Sequence, residues 1–211
     1  MLSMLKLLAR LCDRVLVWNA RHCEVGRFDG IVLADARNRH DSFAETMPRS
    51  LKLVRDHDPR RYARVKLFIH FIVNTVNTAK GGATYSLGKR TCDVEFDDNI
   101  TGITQELLAA LYACVLVHES THGVIESRGI EYSGDDRRRI ERLCVREENR
   151  FAAKLVAFDP ELYPPSILLR DFNARDWEEH WSMSNLDLAL SLWRRSCEDV
   201  GAAKDQRTGA D

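Results

Sequence analysis

The chain has 211 residues, of which 45% are hydrophobic and 30% are charged, and its formal net charge is -1. This composition predicts one compact globular domain with a sizeable core and excludes a general electrostatic attraction to nucleic acid. No apolar run reaches the roughly 18 residues that a membrane span requires, so we expect no membrane association.

The N-terminal stretch is apolar, but Lys6, Arg10 and Arg14 interrupt it and no small-residue cleavage site follows. Its apolar side chains recur at helical spacing over residues 2–20, so we predict an amphipathic helix that packs on the core. The six cysteines are scattered without a CxxC pair. We therefore expect reduced thiols in a cytoplasmic compartment.

The next part of the chain predicts a loop followed by a helix. Residues 26–48 mix Gly, Asp, Asn and Arg around one short apolar run, which indicates a loop with at most a brief strand or turn of helix. Asp58 then offers an N-cap and Pro59 a first helical position. The apolar residues that follow predict a mostly buried helix to about Thr78.

A short hairpin is predicted before the second half of the chain. Residues 83–96 contain β-branched and aromatic side chains around a Gly-Lys turn signal. Thr101 or Thr104 can then cap a helix that runs through residues 115–127. A strand at this place either holds an extended peptide by strand addition or covers the core.

Two histidines and a glutamate form an HExxH pattern in this helix, at His118, Glu119 and His122. Residues four positions apart lie on one helical face, one turn apart, so both imidazoles can reach one metal ion. In HExxH sites the imidazoles bind zinc and the glutamate accepts a proton from the metal-activated water. The preceding residues 107–117 are apolar, so unpaired polar groups here would cost several kcal/mol each. The alternative is a pair of core histidines that other partners satisfy.

We predict a further helix that begins at Asp135 or Asp136 and ends at the Asp159-Pro160 pair. On a helical wheel of its apolar residues, Glu147 lies about 30° from the centre of the stripe. Glu148 lies roughly 70° away, and Glu141, at about 90°, should be solvated.

Glu147 is therefore the predicted third metal ligand, because an inward-facing carboxylate needs a partner. One alternative is a buried salt bridge between Glu147 and an arginine. Another takes Asp135 or Asp136 as the ligand, although adjacent aspartates are also what a helix N-terminus favours.

The remaining residues predict a C-terminal helical part. His180 lies between Trp177 and Trp181 and has no ligand-like neighbour at helical spacing, so packing is favoured over coordination. A final amphipathic helix is predicted over residues 184–197, and the tail 201–211 should be disordered. We expect one domain over residues 1–200, divided into a helical part (1–80), a core (81–160) and a C-terminal helical part (161–200).

Two segments resemble a known group of enzymes. HESTHGVIES, followed later in the chain by REENRFAAKL, resembles zinc metallopeptidases of the gluzincin kind, whose ligands are two histidines and a downstream helical glutamate. The second segment is similar to the E-A-N-x-F-A-x-x-L signature of the ImmA/IrrE family of bacterial and phage regulatory metallopeptidases. The ligand position of that signature falls on Glu147, and the other matching residues are Asn149, Phe151, Ala152 and Leu155.

The resemblance covers about residues 83–160, and this chain departs from the signature at two places. Glu148 stands where the family prefers alanine, and residues 157–160 replace an apolar-Met-Pro end. The implied fold is α+β and mostly helical, a zincin-like core with a small antiparallel sheet packed beside the HExxH helix.

The implied activity is zinc-dependent peptide hydrolysis by a metal-activated water, with Glu119 as the general base. Manganese or cobalt could occupy the same His2Glu ligand set in vitro. For the developing oxyanion, Tyr132 is the first candidate, ahead of His180 and Tyr85.

Two other functions compete with this one. A catalytically silent protein of the same fold would act by binding a protein partner, but a structural zinc site has no use for Glu119. A nucleic-acid-associated regulator could use the basic helix at residues 60–66, although such a group is more often a solvated face. We therefore expect a peptide or protein substrate and no nucleic-acid partner, and the sequence leaves the oligomeric state open.

Overall fold

The computed structural model describes residues 22–37, 41–75, 83–86, 90–98, 100, 102–133 and 136–172. Several sequence predictions lie outside these residues: the helix over 2–20, the C-terminal helix over 184–197 and the tail. His180 and Asp135 also lie outside them.

The fold is α+β and contains more helix than strand, as predicted. The strands are β1 (Glu24–Phe28), β2 (Ile31–Asp35), β3 (Phe71–Asn74), β4 (Ala83–Ser86) and β5 (Thr91–Val94). The helices are α1 (Asp41–His57), α2 (Pro59–Phe68), α3 (Gln105–Glu126), α4 (Asp136–Phe158) and the short α5 (Pro165–Leu168).

The five strands form one mixed sheet in the order β1-β2-β3-β5-β4, so the prediction of an antiparallel sheet is wrong. β3 is parallel to both β2 and β5, and only the outer pairs, β1 with β2 and β4 with β5, are antiparallel. α1 and α2 form the crossover that a parallel β2-β3 pair requires. Every residue of β2 and β3 is buried, which is typical of parallel strands covered on both faces.

The first half of the chain differs from its prediction at three places. β1 and β2 form an antiparallel pair where a loop with a brief strand or turn of helix was predicted. α1 begins at Asp41, inside the predicted loop, and contains Pro48 within the helix. The helix predicted to reach about Thr78 ends at Phe68, and Phe71–Asn74 is a central strand. A short apolar run is compatible with a buried helix and with a buried parallel strand, so its periodicity does not distinguish them.

The elements between residues 83 and 158 follow their prediction closely where they are described. β4 and β5 form the predicted antiparallel pair. The Thr104 side chain accepts a hydrogen bond from the Leu107 backbone N–H and caps α3, while α4 ends at Phe158 just before the Asp-Pro pair.

α3 is the central helix of the fold. It contacts α1, α2, α4 and β4. Within the described ranges it is the one helix long and apolar enough to cross a membrane, and 78% of its most apolar 18-residue window is buried inside the protein. Its apolar surface is therefore covered by its neighbours in this fold.

Asp58 joins the start of α2 to α4. Its carboxylate caps α2 by accepting a hydrogen bond from the Arg61 backbone N–H, at 3.1 Å. It also pairs with the Arg61 guanidinium and with Lys154 Nζ of α4, the latter at 2.8 Å. Burial raises the pKa of this carboxyl, but the bonds from Lys154 and Arg61 outweigh it and hold the pKa below its ordinary value.

Asp58→Asn should lower the free energy of unfolding by about 1–2 kcal/mol at neutral pH, because it removes charge-assisted hydrogen bonds and keeps the cap. A lowered folded-state pKa stabilises the fold above the unfolded value of about 3.9, and this stabilisation is lost as the pH falls through the folded value. Thermal or urea unfolding from pH 7 to pH 3 measures the difference. If the difference in unfolding free energy between the wild type and Asp58→Asn stayed constant below about pH 4, the lowered pKa of Asp58 would be contradicted.

Gly123 lets α2 approach α3 closely. A Cβ atom at this position would lie 2.7 Å from Cβ and Cγ of Phe68, the last residue of α2. Gly123→Ala should therefore lower the free energy of unfolding by about 1–3 kcal/mol, although alanine gains about 1 kcal/mol in helix propensity. Gly26→Ala is the matched control, because a Cβ there meets no atom within 4 Å. Urea unfolding of both variants measures these changes. If Gly123→Ala were as stable as the wild type, α2 would be able to move away from α3 at no cost in free energy.

Candidate metal centre

His118 and His122 lie one turn apart on α3, as their spacing predicts. Their ring centroids are 5.2 Å apart with an interplanar angle of 55°. His118 is buried, and the side chain of His122 is 12% exposed. Both rings lie at the interface with α4, the helix that contacts α3 most extensively.

The carboxylate of Glu141 on α4 faces both imidazoles. Its Oε2 atom lies 3.2 Å from His118 Nε2, and its Oε1 atom lies 3.5 Å from His122 Nε2. The residue is 2% exposed, so the prediction that Glu141 is solvated is wrong.

The helical wheel failed because two residues that defined its apolar stripe face solvent. Leu143 is 40% exposed and Phe158 is 68% exposed. The buried side of α4 is instead centred roughly 70° from Ile140 on the wheel, which turns Glu141 and Glu148 inward. The buried residues are Ile140, Glu141, Cys144, Val145, Glu148, Phe151, Ala152 and Leu155.

Glu147, the predicted third ligand, does not lie beside the histidines. Its Oε2 atom accepts hydrogen bonds from Arg61 at 3.0 Å and from Arg64 at 3.2 Å, and Arg150 binds the other oxygen. Burial raises the pKa of Glu147, but the arginines outweigh it and lower the pKa below the ordinary value. The structure therefore matches the salt-bridge alternative, and Glu141 takes the place predicted for Glu147.

Glu148 holds the other side of the His118 ring. Its Oε2 atom lies 3.0 Å from His118 Nδ1, and its Oε1 atom lies 3.5 Å from an Arg170 guanidinium nitrogen. Metal-binding histidines usually donate their second ring N–H to a carboxylate in this manner, which fixes the tautomer and the orientation of the ring. Glu148 is thus placed to orient His118 toward Glu141.

Tyr132 reaches the site, but its hydroxyl is already bonded. It donates a short hydrogen bond to Glu141 Oε1, and its ring packs edge-on against His122 at 5.4 Å. The predicted oxyanion donor therefore positions Glu141 in this structure. Tyr85, another candidate for the oxyanion, donates its hydroxyl to the Phe68 carbonyl instead. Asp136, the alternative metal ligand, is an exposed residue at the start of α4.

Cys144 completes the group of possible ligands. Its Sγ atom and one nitrogen from each of His118 and His122 all lie within 4.8 Å of one another, so this His-His-Cys group could hold a metal ion. The sequence predicted only a reduced thiol here. The signal that could have identified Cys144 is its position one turn after Glu141, on the same helical face.

The pKa values of the ionisable groups in this cluster differ strongly from their ordinary values. Burial lowers the pKa of His118, but its hydrogen bonds with Glu141 and Glu148 outweigh this and raise the pKa to about 10. Burial and the neighbouring His118 lower the pKa of His122 to about 4. Burial raises the pKa of Glu119 to about 7. Burial also raises the pKa of Glu141, but the hydrogen bond with His118 outweighs it, so the pKa of Glu141 lies below its ordinary value.

Glu141 is a second candidate for the third ligand, beside Cys144. In a tetrahedral site, bonds of about 2.0–2.1 Å place neighbouring nitrogen and oxygen ligand atoms about 3.3 Å apart. His118 Nε2 lies 3.2 Å from one Glu141 oxygen, and His122 Nε2 lies 3.5 Å from the other. The same contacts also fit a protonated His118 held between two carboxylates.

Comparison of the chain with protein-family models, with curated proteins and with solved structures found no match in any of the three.

Metal stoichiometry tests the ligand set. We expect about one zinc per chain after loading and desalting, with loss in Glu141→Ala and retention in Glu147→Ala, whose side chain binds arginines. Glu148→Gln should weaken binding by about 10–100-fold, the usual cost of removing a carboxylate that supports a ligand. Elemental analysis and chelator competition measure both quantities.

Cys144→Ser distinguishes the two possible third ligands, Glu141 and Cys144. Loss of metal in this variant, together with retention in Glu141→Ala, would favour the thiol.

Proposed function

We propose that the protein is a zinc-dependent metallopeptidase, in which His118, His122 and Glu141 hold the metal ion. The observation that carries the proposal is the convergence of two imidazole Nε2 atoms on one buried carboxylate of the neighbouring helix. Glu119 follows the first histidine directly, as hydrolysis at an HExxH site requires.

A zinc ion in this position would lower the pKa of water and polarise a peptide carbonyl. Glu119 would accept the proton of the attacking water and pass it to the amine leaving group. The Glu119 carboxylate suits this role, because within the described part of the chain no side chain is hydrogen-bonded to it. Glu148 and Tyr132 would keep His118 and Glu141 in place while the proton moves.

The edge strand β4 would hold the peptide. Among the described residues β5 is its only neighbour in the sheet, so β4 is an edge strand. β4 also contacts α3. An extended peptide that adds to this edge would form backbone hydrogen bonds with the sheet near the helix that carries Glu119.

One observation favours the alternative of a catalytically silent protein. His118 is 5% exposed, Glu119 is 6% exposed, and Glu141 and Glu148 are each 2% exposed. A peptide bond reaches these groups only after some of the covering residues move. A buried metal or a buried charge cluster that holds α3 against α4 would need no such movement.

We also propose a cytoplasmic location. The four cysteines in the described residues, Cys23, Cys92, Cys114 and Cys144, are free thiols, three of them buried. Buried thiols of this kind are compatible with a reducing compartment.

Glu119→Gln tests catalysis separately from metal binding. The variant should keep its zinc and its melting temperature and lose about 10²–10⁴-fold in the rate of hydrolysis, because it lacks the group that accepts the proton. Glu126→Gln, on the same helix, is the matched control and should keep the wild-type rate. Labelled unfolded protein and a mixed peptide library serve as substrates. A zinc-loaded wild type that cleaves neither, or a Glu119→Gln variant that cleaves at the wild-type rate, would leave the silent protein as the better description.

A further inference from the structure

An arginine-rich groove lies beside the metal centre, between α2, α3 and α4. Its volume is about 680 Å³, and Thr121, Val124 and Ile125 of α3 form part of its lining. The exposed side chains of Leu67 and Leu143, which are 58% and 40% exposed, lie on its two sides. The groove therefore combines a concave shape with an apolar surface that faces solvent.

Five arginines surround this apolar surface: Arg60, Arg64, Arg128, Arg146 and Arg150. Glu147 is the one acidic residue among the described residues of the lining, and it is already bound by Arg61, Arg64 and Arg150. The chain as a whole has a net charge of -1, so the positive charge is local to this surface.

Three of these guanidinium groups are available to a ligand. Within the described residues Arg60, Arg128 and Arg146 form no ion pair, and all three are exposed. Arg146 and Arg150 also line a second depression of about 450 Å³, together with Arg142 and Arg170. The positive surface therefore continues around the outer face of α4.

The apolar lining selects the kind of ligand. Among the described residues no aromatic side chain lines the groove, so these residues offer no surface on which bases could stack. Exposed leucines in a groove between helices suit the apolar face of an amphipathic helix, and the arginines around them suit its acidic residues. The distance along α4 from Leu143 to Arg150 is about 10 Å, which corresponds to about two turns of a bound helix.

We propose that this groove binds an acidic, amphipathic helical segment of a partner protein. The apolar side chains of the segment contact Leu67, Val124 and Leu143, and its carboxylates pair with Arg60, Arg128 and Arg146. The proposal does not depend on peptidase activity. If the chain is a peptidase, the groove holds its substrate outside the catalytic centre.

The test measures binding of a fluorescent peptide whose leucines lie on one helical face and whose other positions are mainly glutamate. A scrambled peptide of the same composition and a single-stranded DNA of similar charge serve as comparison ligands. We expect the wild type to bind the amphipathic peptide at least 10-fold more tightly than the scrambled peptide, because only the first presents a continuous apolar face.

Two double variants distinguish binding in the groove from non-specific electrostatic attraction. Arg60→Glu with Arg146→Glu should weaken peptide binding by about 10-fold or more, and Leu67→Ala with Leu143→Ala should weaken it without changing the net charge. Lys52→Glu with Lys66→Glu is the matched control, since it makes the same charge change at exposed positions outside the groove. Circular dichroism melts verify that each variant folds.

Three outcomes would overturn the proposal. The first is equal binding of the scrambled and amphipathic peptides, or no binding of either. The second is an equal loss of binding in the Lys52 and Lys66 control. The third is tighter binding of the DNA, abolished by the arginine variant, which would assign the surface to nucleic acid.

Discussion

The structure depends on how a group of buried charges is compensated at the interface between α3 and α4. Glu141 and Glu148 are almost fully buried with His118, inside a helix pair whose other buried side chains are mostly apolar. An isolated buried charge costs several kcal/mol even after the protein relaxes, so none of these groups would be stable there alone. Glu141 and Glu148 each contact His118, and the interface keeps these charges only because they face one another.

Two adjacent glutamates on α4 show how closely this compensation depends on helical geometry. Consecutive residues differ by about 100° around a helix, so Glu147 and Glu148 point to different neighbours. Glu147 faces α2 and binds Arg61 and Arg64, whereas Glu148 faces α3 and binds His118. Since Gly123 lets α2 pack closely on α3, the arginines of α2 come within reach of α4. The close contact between α2 and α3 therefore supplies the arginines that bind Glu147, while the helical step turns Glu148 toward His118.

Local signals in the sequence predicted most of the second half of the fold. The Thr104 cap, the spacing of His118 and His122, and the Asp-Pro stop after α4 each depend on neighbouring residues only. The strand Phe71–Asn74 could not be predicted in this way, because its identity depends on β2 and β5, which lie far away in the sequence. The orientation of α4 failed for a related reason. An exposed leucine and an exposed phenylalanine carry the same sequence signal as buried ones, and only the packed helices distinguish them.

The residues that matched the metallopeptidase signature have physical roles in this structure that do not depend on zinc. Phe151, Ala152 and Leu155 are fully buried in the core between the helices. The Asn149 side chain makes two hydrogen bonds with the Arg170 backbone, at 2.7 and 2.9 Å. These bonds fix the segment after α5 on the surface of α4.

This attachment reaches the candidate metal centre through Arg170. Its guanidinium group lies 3.5 Å from Glu148, the carboxylate that binds His118 Nδ1. Arg170 pairs with one oxygen of Glu148, while the other oxygen lies beside His118 Nδ1 and leaves His118 Nε2 directed at Glu141. Asn149 therefore acts on the histidine pair through Arg170 and Glu148, although it contacts neither histidine. The same arrangement would serve a metal ion and a metal-free charge cluster, because both need one fixed orientation of the His118 ring.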